Sequence, residues 1–117
     1  MSKQDTEYNG WSNYETWNVH LWLTNSEDSQ QHWNTRARTA RDIAATTKEP
    51  TDTATQEHGA AVYSLAKQLN HDFDQQVDDW TGGKPPCCFS DLLLASLREV
   101  NWREIAEALL EDVQAAT

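Results

Sequence analysis

From Val62 to Trp80 the apolar residues Val62, Leu65, Leu69, Phe73, Val77 and Trp80 recur every three or four positions without a break. A helix gathers such a series on one face, because 3.6 residues complete its turn, whereas a strand alternates with a period of two. The spacing predicts a long helix from about Asp52 to Trp80, with that series as its buried stripe. Gly59 weakens the first turns by about 1 kcal/mol relative to alanine and moves the start later. The same spacing governs the end of the chain, where Trp102, Ile105, Ala106, Leu109, Leu110 and Val113 form the inward face of a last helix. There Asn101 is the cap, with Glu104 three residues on.

Other segments follow the same logic. Trp33, Ala37, Ala40 and Ala44 form a narrow helical stripe within Ser26–Thr46, after an Asn25-Ser26-Glu27-Asp28 start signal. The acids in that first turn suit the positive end of the helix dipole. Ser12-Asn13-Tyr14-Glu15 has the S-x-x-E form of a capping box and predicts a helix over about 13–24. Tyr14, Trp17 and Leu21 on one side and Val19, Trp22 and Leu23 on another make this helix apolar nearly all round, which predicts burial. Trp17, Val19, Leu21 and Leu23 also alternate as a strand would, and the capping signal decides for helix. Pro50 biases Glu49 away from helix and marks a loop. Gly82 and Gly83 followed by Pro85 and Pro86 are stop signals. Ser90-Asp91 caps a short helix through Leu97. The fold class is therefore all-α, a single small domain of four to five helices over 12–117 behind a polar N-terminal arm over 1–11.

A chain of 117 residues holds one core without disulfide or metal staples. Only 38% of it is hydrophobic, but six tryptophans set it apart from acidic disordered chains, which are poor in aromatics. Nineteen carboxylates against nine Lys and Arg give a formal net charge of −10. That balance disfavours direct binding to nucleic acid or anionic lipid and favours basic protein surfaces. The plain alternative is that the charge only keeps the protein in solution. No stretch approaches the ~20 apolar residues of a membrane span, and Met1–Asn9 lacks a signal pattern, so the expectation is a cytoplasmic protein. Adjacent Cys87 and Cys88 make no disulfide framework and are expected as reduced thiols.

Catalytic and metal chemistry find little footing. His20, His32, His58 and His71 are scattered. In His71-Asp72-Phe73-Asp74 the histidine shares a helix face with Asp74, while Asp72 points about 100° away, short of a ligand set. Cys87 and Cys88 precede a helix, which favours thiolate, but a nucleophile also needs a base that the sequence does not place. Gly82-Gly83-Lys84 echoes a phosphate-binding loop without its first glycine or its Ser/Thr. No catalytic residue, cofactor or metal is assigned.

Two segments resemble a known family. Asn13-Tyr14-Glu15-Thr16-Trp17-Asn18-Val19, followed by Leu21-Trp22, looks like the opening motif of a family of small acidic proteins encoded largely by phages, plasmids and environmental bacteria. Glu99-Val100-Asn101-Trp102-Arg103-Glu104-Ile105-Ala106-Glu107 is similar to its closing motif, although the position of Arg103 is often aromatic there. Family members are mostly of unknown function. The resemblance implies a mobile-element setting, where small acidic proteins often inhibit host defence.

The functional expectation is thus a non-enzymatic accessory protein of a mobile element. It would bind, and by doing so inhibit, a host protein with a basic surface, a nucleic-acid-handling defence complex being the suggested target. The candidate partner-binding residues are Asp72, Asp74, Asp78 and Asp79 at the end of the long helix and Glu104, Glu107 and Glu111 on one stripe of the last. Trp11 and Trp22 are the candidate aromatic anchors. Side by side, the two acidic stripes would form a patch imitating a phosphate backbone, although three glutamates over ~10.5 Å are sparse against one DNA charge per ~1.7 Å. The alternative is a structural or assembly protein, a homo-oligomer joined through the Trp-rich first helix.

Overall fold

The computed structural model describes residues 7–82 and 87–115, for Ala115 the backbone alone. The described residues form helices α1 (Tyr14–Thr24), α2 (Glu27–Thr47), α3 (Ala54–Thr81), α4 (Cys88–Arg98) and α5 (Trp102–Ala115). No helix among them is long and apolar enough to cross a membrane.

The core lies between α2, α3 and α5. The stripe predicted for α2 (Trp33, Ala37, Ala40, Ala44) is buried throughout. Its three alanines allow the larger side chains of the other two helices to pack close to the α2 backbone. Those are Val62, Leu65 and Leu69 of α3 and Ile105, Leu109, Leu110 and Val113 of α5, all fully enclosed. Contacts at each end fix the directions. Arg36 meets Asp72, and Lys48 meets Glu57, so α2 and α3 are antiparallel. Phe73 packs on Trp102, with ring centroids 5.2 Å apart, while Ala61 and Leu110 line one cavity, so α3 and α5 are antiparallel too.

Several sequence expectations need correction. Trp80 is 71% exposed rather than part of the α3 stripe. Phe73 already faces the first residue of α5, so α3 runs about two turns past it, and Trp80 has no α5 surface to cover it. Helix α1 buries only Thr16, Val19 and Leu23, leaving Tyr14, Leu21 and Trp22 exposed, because it packs on α2 and α5 along one side. And α4 begins three residues earlier than expected, with Cys87 rather than Ser90 as N-cap. Ser90 sits one turn in, where its hydroxyl accepts from the Cys87 amide at 2.9 Å and donates to the Cys87 carbonyl at 3.0 Å.

The predicted terminations hold where they are described. Gly82 ends α3 in the left-handed region (φ 59°), its N–H donating to the Asp78 carbonyl at 3.0 Å. The further stop signals at Gly83, Pro85 and Pro86, with Lys84, lie outside the described residues. Thr53 caps α3 reciprocally with Gln56, so that the helix begins at Ala54, two residues after the predicted start.

The capping of α1 and α5 departs most from a local reading. Ser12 and Glu15 do not form the predicted box. Asn13 is the α1 cap, its Oδ1 accepting from the Thr16 amide (2.9 Å) and the Thr16 hydroxyl (2.6 Å). Asn101 caps α5 as predicted, accepting from the Glu104 amide at 3.1 Å. The return bonds, however, are exchanged between the helices. Glu104 accepts from the Ser12 amide of the other helix start at 3.1 Å, and the Thr16 hydroxyl accepts from the Asn101 amide at 2.9 Å. Asn13 Nδ2 adds a bond to the Glu99 carbonyl at 2.6 Å. Thr16 is completely buried in this clasp.

Replacing one partner of a buried bond strands the other, at about 1–3 kcal/mol. Thr16→Val keeps the shape and removes the hydroxyl, leaving the Asn101 amide without its acceptor. The expected loss is about 2 kcal/mol in urea unfolding, whereas Thr16→Ser should retain most of the stability. Equal stability of Thr16→Val and the parent would contradict the clasp.

Candidate partner-binding surface

The end of α3 distributes its four acids over two flanks. With Phe73 and Val77 turned inward, Asp74 and Asp78 fall one turn apart on one flank and Asp72 and Asp79 on the other. Asp72 is engaged by Arg36 across α2 at 3.7 Å, and the Arg36 guanidinium also lies 5.3 Å from the Trp33 ring centroid. Asp79 is exposed. His71 and Asp74 are both exposed on one flank of α3, as their spacing predicts, while Asp72 turns away to Arg36.

The glutamates of α5 lie elsewhere. Trp102 faces α3, and Glu104, two residues on, is rotated by about 200° toward the start of α1, where it serves the clasp. Glu107 pairs with Arg103 at 3.4 Å, and Glu111 is exposed. The α3 and α5 stripes therefore do not merge into one patch.

The two anchor tryptophans also differ. Trp22 is 62% exposed. Trp11 is half-buried against the core, its ring 4.4 Å from that of His20. A tight turn brings it there. Tyr8 and Trp11 exchange backbone bonds of 2.8 Å in each direction, and Asn9 (φ 48°) and Gly10 (φ 87°) between them are both left-handed. Asn-Gly is the preferred pair for such a type I′ turn, so the end of the polar arm is a folded turn and not an extended tail.

Asp74 and Asp78 instead border a groove of about 630 Å³ between α3, α4 and the start of α5. Leu94, Leu97, Val100 and Trp102 give it an apolar floor, with Arg98 facing it from α4. Among the described residues, neither these two aspartates nor Arg98 is in an ion pair. On the α1 side of α4 a second, smaller groove of about 250 Å³ runs past Tyr14, Val19 and Leu93. Helix α4 thus forms a ridge between two grooves. It buries only Ser90 and exposes Phe89 (72%) and Leu92 (61%). Sequence reasoning saw α4 as a short helix without functional weight, although Phe89, Leu92, Leu93 and Leu94 crowd around its circumference more widely than one buried face needs.

At the start of α4 the exposed Cys87 thiol is held below the usual thiol range, chiefly by the backbone amide of Ser90 and further by that of Phe89.

Residues 4–114 match a family of unknown function, DUF7249. The chain belongs to that family. No curated protein and no solved structure matches it. The DUF7249 match spans both motif segments, which the clasp joins in space.

One titration follows from the Trp11 contact. His20 Nε2 is buried with no hydrogen-bond partner among the described residues, and burial lowers the imidazole pKa below its ordinary value near 6.5 against the opposing pull of the Asp112 carboxylate. The unfolded chain then takes up this proton first as pH falls. Stability is unaffected by His20 above about pH 6.5 and is lost as pH drops from there toward the lowered folded pKa. Urea midpoints of the parent should fall more steeply from pH 7.5 to about 5.5 than those of His20→Gln. Parallel curves would contradict it.

Proposed function

We propose that this chain is a non-enzymatic accessory protein that binds a host protein with a basic surface and inhibits it by occupying that surface. The observation that carries the reading is the pairing of Asp74 and Asp78, neither in an ion pair among the described residues, with the under-covered apolar helix α4 beside them. Large apolar side chains ringed by charge are the usual make-up of protein-binding surfaces, the aromatics supplying affinity and the charges steering encounter. Trp102 lines the groove, and Phe89 on α4 and Trp80 at the end of α3 are both more exposed than Trp22. Relative to the sequence expectation, the binding surface moves from α5 to α4, because Glu104 and Glu107 have partners within the fold. The mobile-element setting, with a nucleic-acid-handling defence complex as target, rests on the resemblance of the two motifs alone.

The test is affinity capture from host lysate with the tagged full chain at about 50 mM and about 500 mM salt, a range over which exposed charges become strongly screened. The expected result is a basic protein retained at low salt, shed at high salt, and lost from the Asp74→Asn/Asp78→Asn double variant. Retention by the double variant, or no protein at either salt, would overturn the reading. Recovery of untagged copies of this chain alone would favour self-association, for which the exposed Trp22 and Leu21 edge of α1 is the surface at hand.

A further inference from the structure

We infer that the groove between α3 and α4 receives an amphipathic helical segment of a partner, one that carries a Leu-like anchor and a Lys or Arg about one turn away. The inference rests on the protein-binding reading and specifies the chemistry of what is bound. Its basis is the match of the groove to such a segment. The floor (Leu94, Leu97 and Trp102) is apolar, and Leu97 and Trp102 also pack against the core, so it is anchored rather than free to close. The α3 wall carries Asp74 and Asp78 four residues apart, which is about 6 Å along the helix. Side chains one turn apart on a bound helix have the same spacing, so a Lys or Arg next to an anchor lies within reach of both carboxylates. On the opposite side stands Arg98, which repels a second basic group there and attracts an acid. The groove is thus polarised across its width: the basic edge of the bound segment faces α3 and its acidic edge faces α4. A wholly basic segment gains one contact and loses the other, which gives the groove an orientation preference as well as a charge preference. A second copy of this chain fits poorly, since its net charge of −10 opposes approach to these aspartates.

The test uses NMR titration of the isotopically labelled full chain with three synthetic 18-residue helical peptides. The first has a Leu stripe flanked by Lys on one edge and Glu on the other. The second replaces Lys by Glu, and the third replaces Leu by Gln. The first peptide should shift the Leu94 and Leu97 resonances and the Trp102 indole, and the other two should leave them in place. Asp74→Asn/Asp78→Asn should weaken the first peptide roughly three- to tenfold at low salt, as expected for two exposed charge contacts. Glu107→Gln/Glu111→Gln, which changes net charge equally, should weaken it less than twofold. With a fourth peptide carrying Lys on both edges, which the parent should bind more weakly than the first, Arg98→Gln should erase that preference for the mixed Lys/Glu pattern. Equal weakening by the two double variants, or shifts outside the groove, would overturn the inference. Failure here with salt-labile capture of a host protein intact would discard only the groove. Groove binding without any captured host protein would discard the wider reading and keep the groove.

Discussion

The structure depends on an exchange of return bonds between the starts of α1 and α5, each of which keeps its own asparagine cap. A helix start leaves its first amides without intrahelical acceptors, and a capping box normally satisfies them with residues three apart in sequence. Here Glu104 of α5 takes the place that Glu15 would have at Ser12, and Thr16 of α1 takes the place that Glu104 would have at Asn101. Each helix is completed by the other, across about ninety residues of sequence. The exchange closes the core over α2 and α3 and fixes the start of α5 where Trp102 meets Phe73.

That placement shapes the rest of the surface. Because α5 starts opposite Phe73, the last two turns of α3 project beyond it, and α4 covers them only in part. The overhang leaves Trp80 exposed, opens the groove beside Asp74 and Asp78, and turns α4 into a ridge. The acidic stripe of α5 lies on the far side, with Glu104 bound into the clasp. Of the residues that sequence alone nominates for partner binding, the ones with free charge at an apolar cleft are thus Asp74 and Asp78.

Much of the helical plan was legible because it is local. The Trp33–Ala44 stripe, the Leu65–Leu69 register and the α5 face follow from 3.6-residue periodicity, and all are buried as it predicts except Trp102, which is half-buried. Trp80 obeys the same spacing yet is exposed, since periodicity gives the side of a helix and not where its partner ends. Ser12 and Glu15 satisfy a capping pattern that a more distant carboxylate fills instead, and sequence spacing carries no trace of that competition. The Asn9-Gly10 dipeptide by itself encodes a left-handed turn, within a segment whose polar composition otherwise suggests an arm. The groove was not readable at all, because Asp74, Leu94 and Trp102 come together only through the packing of three helices. The two motif segments mark the place where the chain joins itself.

The central claim is that the α1 and α5 caps act as one unit, and a double-mutant cycle tests it most directly. Asn13→Ala and Asn101→Ala each remove one cap, at about 1 kcal/mol apiece in an ordinary helix. Coupled through Thr16, the two losses should depart from additivity by at least about 0.5 kcal/mol in urea unfolding. Losses that simply add, within about 0.3 kcal/mol, would show two independent caps and contradict the account.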